Sequence, residues 1–420
     1  MFKAFLKNIA KVFFGELVSK LFLFLSILII IRYLSIEEFA NYVIFDAVMV
    51  FFSFLIGDGI NQVIVLYSSE YISLRNESPL YYYISNVILQ IFIYLVLIPF
   101  LLVFSKKISL FLFNDVSFTT PMILGLISAL GLIILNATRS IYQSQEKFSH
   151  YVKIIIIYRI FIFILLLLLM LTEKINFLNI AIVICIGTLS AGLYFLMDTL
   201  SKIKAAHIIL EKLKSVCYLI LRYWEYVLFT IISHISWRVD IFMLSHLSTK
   251  LELANYAIAY KFYSFGLLLV LASHSVVLPM FAKIQNQNVA IQKRFIIKWL
   301  SLTSLFIIVI AIYGFFGKPL LLFFIPHFYS KAFYISIILL FALWMHLMLF
   351  PFFSIILSLK KLRFFFILGI TRFCIITVLN CYLTAAWGGY GAAIAIVADL
   401  IVVYTFVCIK LYNTFKKKEM

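Results

Sequence analysis

A chain of 420 residues with 65% hydrophobic and 12% charged residues and a mean hydropathy of +1.12 lies far from the roughly 25% charged composition of soluble domains. It takes lipid as its solvent. Its net charge of +18 would suggest nucleic acid in a soluble protein, but the basic residues gather between apolar stretches, so the charge reads as membrane topology, with no nucleic-acid partner.

Twelve apolar stretches follow in chain order, at residues 17–34, 41–66, 81–104, 118–137, 154–171, 178–197, 224–247, 254–281, 295–316, 333–357, 364–384 and 389–409. Each is near the roughly 20 residues that carry a helix across about 30 Å of hydrocarbon. Barrel strands would alternate apolar with polar, whereas Ile154 to Met170 is apolar at nearly every position,. The expected fold is an all-α polytopic membrane protein of about 12 transmembrane helices in two six-helix bundles around a central cavity, as in many transporters. Residues 1–200 form the first bundle, 201–223 a cytoplasmic amphipathic connector in which lysines alternate with Ile and Leu, and 224–420 the second bundle,. No residue-level repeat between the halves is evident. No small-residue cleavage site follows Arg32, so the first run reads as a retained helix,.

With a cytoplasmic N-terminus, 23 of the 35 Lys and Arg fall on the inner side, among them Lys3, Lys7, Lys11, Lys202, Lys204, Lys360, Lys361 and Lys416 to Lys418, and 7 fall outside, including Lys174. This asymmetry puts both termini in the cytoplasm. The remaining five, Lys20, Arg159, Arg238, Lys261 and Arg372, sit in or at the edge of spans.

Ionisable groups in spans are costly and need a partner, a wet cavity or a route to the interface. Arg32, Arg159, Arg238, Lys261 and Arg372 are the expected contacts to an anionic substrate, against the plainer reading that Arg159 and Arg372 snorkel. Arg238 and Asp240 fall near the middle of the seventh span, about 200° apart on a helix, with His234 on the face of Arg238,. Asp58 and Asn61, with Gln62, share a helix face beside Gly57 and Gly59, which permit a bend or a close helix contact,. With Asp240 and Asp399 they are expected to line a pathway or to respond to a coupling ion. The five cysteines are scattered, and no His-Glu-x-x-His, Walker sequence or nucleophile arrangement appears. Enzyme chemistry, a metal site and resident cofactors are therefore not expected.

Several segments resemble oligosaccharide flippases of the polysaccharide-biosynthesis branch of the multidrug/oligosaccharidyl-lipid/polysaccharide exporter superfamily, the group that includes O-antigen flippases of lipopolysaccharide biosynthesis. They are Ile31 to Tyr42, Gly57-Asp58-Gly59, Arg238-Val239-Asp240, Ala254 to Lys261, Leu278 to Lys283, Leu379-Asn380 and Trp387 to Ala393. Ala40 and Asn41 stand where a glycine is usual before the tyrosine. The resemblance implies a multi-pass protein of the bacterial cytoplasmic membrane that moves an undecaprenyl-diphosphate-linked oligosaccharide to the outer leaflet by alternating access, among membrane lipids and alongside polysaccharide polymerase or ligase machinery. It is compatible with coupling to H+ or Na+. A drug or small-cation antiporter of the same superfamily is the nearest alternative, and a membrane polysaccharide polymerase or ligase a more distant one.

Overall fold

The computed structural model describes residues 2–75, 79–145, 147–173, 175–201, 207–284, 289–324, 330–358 and 362–419. Lys174, Lys202, Lys204, Lys360 and Lys361 of the charge asymmetry lie outside them. The described chain is all helix: α1 (Phe2–Tyr33), α2 (Ile36–Arg75), α3 (Pro79–Val103), the short α4 (Ser105–Phe113), a 3-10 turn (Val116–Phe118), α5 (Thr119–Ser144), α6 (Phe148–Leu171), α7 (Phe177–Leu200), α8 (His207–Arg222), α9 (Trp224–Ser236), α10 (Val239–Leu247), α11 (Lys250–Ile284), α12 (Val289–Ser304), α13 (Phe306–Phe324), α14 (Ser330–Ser358) and α15 (Leu362–Glu419).

Among the described residues nine helices are long and apolar enough to cross a membrane, or ten if the bent pair Glu211–Arg222 of α8 and Val227–Ser236 of α9 counts as one span. Part of the difference from twelve has local causes. The apolar part of α15, Phe366–Leu411, has 46 residues; at 1.5 Å per residue it would reach about 69 Å, twice a bilayer core. It holds the eleventh and twelfth spans, joined at Gly388, whose φ of +54° and ψ of −130° are not helical. Only glycine adopts that conformation without strain. The seventh span is not one helix but α9 and α10, separated by Trp237-Arg238. No Gly or Pro lies between 224 and 247. Instead Thr230, Ser233 and Ser236 each turn a hydroxyl onto a preceding backbone carbonyl, at 2.7 to 2.8 Å, a pattern that weakens and bends helices. The 200° relation expected between Arg238 and Asp240 therefore does not apply.

By internal packing the chain forms two compact units, residues 1–242 and 243–420. In the first, α2 is the organising helix: it packs most extensively on α5 and also contacts α9, α3, α7 and α8, while α1 lies on α6. The connector helix α8 belongs to this unit. Its Val216 and Leu219 join a core with Ile60, Val63 and Ile64 of α2, Tyr82, Tyr83 and Val87 of α3, and Ala137 and Ile141 of α5. A bend of 69° separates it from α9. In the second unit α11 packs mainly on α14, which in turn contacts α15, α13 and α12.

The two units repeat one device that the sequence reading missed. Ser35 caps α2 by accepting from Glu38 N at 3.3 Å, and Glu38 Oε2 accepts from Ser35 N at 3.2 Å, a reciprocal capping box. Its other oxygen accepts from Phe177 N at 3.2 Å, at the start of α7. Likewise Thr249 Oγ1 accepts from Glu252 N at 3.3 Å at the start of α11, and Glu252 Oε2 accepts from Gly389 N at 3.1 Å just past the Gly388 turn. Lys331 at the start of α14 also pairs with Glu252. Glu38-Phe39-Ala40-Asn41-Tyr42-Val43-Ile44 and Glu252-Leu253-Ala254-Asn255-Tyr256-Ala257-Ile258 share the Glu, Ala, Asn, Tyr and Ile. Each glutamate ties the first turn of its unit's main packing helix to the first turn of another long helix. Glu38→Ala and Glu252→Ala should each lower stability by about 1 to 2 kcal/mol, seen as a lower thermal midpoint in detergent, while Glu37→Ala, which removes an exposed first-turn carboxylate, should leave the midpoint nearly unchanged.

Candidate functional site

In the first unit the polar groups expected from the sequence gather along α2. Gly59 makes this possible: a Cβ there would lie 2.4 Å from Thr230 Oγ1 and 3.2 Å from Val227 Cα, so its absence lets α9 close onto α2. The expected role for Gly57 and Gly59 is thus met as close contact, within a single uninterrupted α2. One turn further along α9, His234 Nε2 reaches Asp58 Oδ2 at 2.6 Å, and Gln62 Nε2 donates to the same oxygen at 2.8 Å. The imidazole stacks on Phe54, with centroids 4.5 Å apart, and meets the edge of Trp237 at 6.1 Å. Side chains of His234 and Asp58 remain 18% and 26% exposed, so the pair is open to water or ligand.

Asn61 faces a dry cluster. Its Oδ1 accepts from Asn86 Nδ2 at 2.9 Å and from Gln90 Nε2 at 2.8 Å, and Gln90 also donates to Asn86 Oδ1 at 3.0 Å. Asn86 and Gln90 are fully buried. Gln90 Oε1 has no hydrogen-bond partner and lies 3.1 Å from where a Cβ on Gly57 would stand. This amide cluster holds α2 to α3 in hydrocarbon, where interhelical polar contacts replace water. Asn61 is therefore placed with packing groups and not on an accessible path.

The first-unit cations occupy different settings. Arg32 is exposed at the end of α1. Arg159 is half-buried, 4.8 Å over the ring of Tyr158, and lies with Asp46 within electrostatic reach of Tyr42 and Tyr158. Arg238 is half-buried at the α9–α10 break, where its N–H closes a tight turn onto Ile235 O at 3.0 Å and its carbonyl accepts from Phe242 N at 3.2 Å. Among the described residues neither Arg159 nor Arg238 has a carboxylate at ion-pair distance. Asp240 is buried in the first turn of α10 and its Oδ1 accepts from Ile241 N at 2.8 Å, the helix end at which a carboxylate is favoured. Glu16 and Arg139 pair at 2.5 Å between α1 and α5, with Arg139 4.2 Å over Tyr151.

In the second unit Arg372 is committed to a partner inside α15: its Nε donates to Oδ2 of the fully buried Asp399 at 2.7 Å, across the Gly388 turn. Arg372 also lies within electrostatic reach of His346 on α14, whose Nδ1 contacts the hydroxyl of Tyr263 on α11 at 3.1 Å. A polar chain thus joins three helices of this unit. Its His346 and Tyr263 were not singled out in the sequence because each stands alone in an apolar run. Lys261 is half-buried on α11, and Ser264 donates to its backbone carbonyl and not to its side chain. Asp399→Asn should destabilise the protein by about 3 to 5 kcal/mol by leaving Arg372 unpaired; replacing both residues by Leu should recover most of the lost melting temperature.

No group of three or more His, Cys, Asp or Glu placed to hold a metal occurs among the described residues. What the arrangement offers is two half-buried arginines without a carboxylate partner among the described residues, Arg159 on α6 and Arg238 at the α9–α10 break, and a partly exposed carboxylate–imidazole pair between α2 and α9.

The fold is that of transporters of the MOP superfamily. A structure titled as the lipid II flippase MurJ in an inward closed conformation superposes with a TM-score of 0.74 at 17% identity, covering 95% of this chain and 87% of that one. An outward-facing multidrug resistance MATE family transporter gives a TM-score of 0.63 at 13% identity, covering 99% and 96%. A MOP superfamily transporter from Pyrococcus furiosus, whose title reports reverse polarity of the binding pocket, gives 0.64 at 13% identity, covering 97% and 96%. No curated protein sequence matches the chain significantly. Residues 5–285, more than half of the chain, match the model of the polysaccharide biosynthesis protein family, and the chain belongs to that family.

Proposed function

We propose that this protein is a flippase that carries an undecaprenyl-diphosphate-linked oligosaccharide from the cytoplasmic to the outer leaflet of the bacterial cytoplasmic membrane by alternating access. The observation that carries the reading is the pair of half-buried arginines, Arg159 on α6 and Arg238 just past the end of α9, that have no carboxylate partner among the described residues. A charge left uncompensated at such depth is costly, and a diphosphate supplies the missing compensation with charge-assisted hydrogen bonds. A cationic drug would meet like charge instead, which disfavours the antiporter reading. Family membership and the fold shared with a lipid II flippase support lipid-linked glycan as the cargo class.

Within the first unit Arg32 at the outer end of α1 is a further contact for the anionic headgroup; in the second unit Lys261 on α11 is a separate candidate for anionic cargo, whereas Arg372 serves that unit through Asp399. The prenyl tail stays in lipid, and the flipped product passes to polymerase or ligase machinery. Either an H+ or a Na+ gradient is compatible with driving the cycle, with Asp58, Asp240 and Asp399 as the membrane-embedded carboxylates and no resident cofactor. The charge asymmetry supports a cytoplasmic placement of both termini and the 201–223 connector.

In liposomes loaded with lipid-linked oligosaccharide, Arg159→Gln and Arg238→Gln together should cut the flipping rate by at least about tenfold, the loss expected for a charged hydrogen bond worth about 1.5 kcal/mol or more; unchanged transport by well-folded double variant sinks the phosphate assignment. In cells, deleting the gene should leave one discrete lipid-linked precursor on the inner leaflet, and loss of small-cation efflux with normal glycan export would favour the antiporter. Single cysteines placed at Ser215 and Thr172, in a chain lacking the native five, should react with an impermeant reagent only from the cytoplasmic side and only from the outside, respectively.

A further inference from the structure

We infer that Asp58 and His234 form a single-proton binding site that tethers α9 to α2, so that proton occupancy controls the helix break at Trp237-Arg238. This deepens the coupling part of the proposed function, but its geometry needs no substrate. Asp58 Oδ2 takes both the Gln62 amide at 2.8 Å and the His234 imidazole at 2.6 Å. With Asp58 ionised and His234 neutral the pair carries one negative charge among apolar helices; one added proton makes an imidazolium–carboxylate pair of zero net charge. Low polarity favours the neutral sum, and the ion pair is the stronger tether. Residual exposure of 18% and 26% gives the proton a route. Imidazole is the side chain whose charge ordinarily changes near neutral pH.

Position gives the tether its consequence. His234 lies two residues from the end of α9 and four before Arg238. Behind it, Gly59 sets α2 against the backbone of α9 at Val227, so the first part of α9 is held by packing and the last turn by the proton-dependent contact. Other groups around the pair are accounted for. Tyr151 of α6 is within electrostatic reach of Asp58, while Arg139 of α5 and Glu16 of α1, which act on the same tyrosine, are bound to each other at 2.5 Å. The α3 side presents the uncharged Asn86 and Gln90. From α7, Asp198 is engaged by the Tyr142 hydroxyl at 3.4 Å, and from α8, Lys212 lies 3.6 Å from Glu211 and over the Tyr82 ring. A sodium ion would need several oxygen ligands, yet the nearest partners of the Asp58 carboxylate are nitrogen donors, so the proton is the better fit.

Trp237 is a built-in reporter, because an imidazolium at this distance quenches indole emission. The full-length protein in substrate-free nanodiscs, read as the emission difference between wild type and Trp237→Phe over about pH 5 to 9, should show a one-proton transition with quenching at the acid end. His234→Gln should abolish it. Asp58→Asn should alter it, because the imidazole loses its carboxylate partner, and Asp58→Glu, which keeps the charge if Asn misfolds, should retain it. Replacing potassium by sodium at constant ionic strength should leave the midpoint in place. A flat profile, a transition that survives His234→Gln, or a midpoint that moves with sodium overturns the proton site. In flipping liposomes, wild-type rate should change through the same midpoint and His234→Gln should be indifferent to pH; a wild-type rate indifferent to pH overturns control of the break. If no glycan is flipped at any pH, the substrate reading fails while the emission transition still stands.

Discussion

Hydrocarbon contains no water to satisfy a polar group, and this constraint sorts the polar side chains of the protein. Each one drawn into a span must be met by another side chain, by backbone, or by something that arrives from outside. Arg372 is met by Asp399, Arg139 by Glu16, Asp58 by His234 and Gln62, and Asn61 by Asn86 and Gln90. Once these are assigned, Arg159 and Arg238 stand apart as half-buried charges without a carboxylate among the described residues.

Within each unit the same constraint acts on backbone. A helix start leaves N–H groups with no partner inside the helix; Glu38 satisfies such groups on two chain segments at once, while at the start of α11 the Thr249 hydroxyl caps Glu252 N and the Glu252 carboxylate takes Gly389 N and Lys331. Each glutamate therefore links a capped helix start to a second helix. Leu253, Ala254 and Tyr256, like Phe39, Ala40 and Tyr42, are buried immediately after the cap, so the small Ala allows close packing while the large rings fill the interface.

Much of this was legible in the sequence, and the reasons differ by element. Long apolar runs give helices directly, because 20 such residues have few alternatives in lipid. Asp58 was recognisable beside Gly57 and Gly59, but its partner His234 is 176 residues away and only the approach of α9 at Gly59 brings it close. Arg372 reads in sequence as a lone cation because Asp399 is 27 residues on, beyond a turn. The repeat was present in the sequence: Glu38-Phe39-Ala40-Asn41-Tyr42 and Glu252-Leu253-Ala254-Asn255-Tyr256 share four residues, although four matches in an apolar background gain force only when both glutamates are seen to reach a backbone N–H on a second segment. The α9–α10 break had a fainter signal in Thr230, Ser233 and Ser236, spaced three apart and each able to bond back to its own helix.

That break also explains why a cation and an acid lie so near each other without joining. Ending α9 at Ser236 and starting α10 at Val239 exposes a fresh helix N-terminus inside the span, where the dipole favours a negative group. Asp240 fills that place through Ile241 N and is held by its own backbone. Arg238 precedes the helix, so its side chain is not spent on neutralising Asp240 and its backbone alone closes the turn. A change of angle here disturbs the few hydrogen bonds of one turn, whereas bending an unbroken helix such as α2 would disrupt a continuous ladder. The cheapest place for the first unit to move is thus the place that carries an uncompensated charge, with the Asp58–His234 contact one turn away to restrain it.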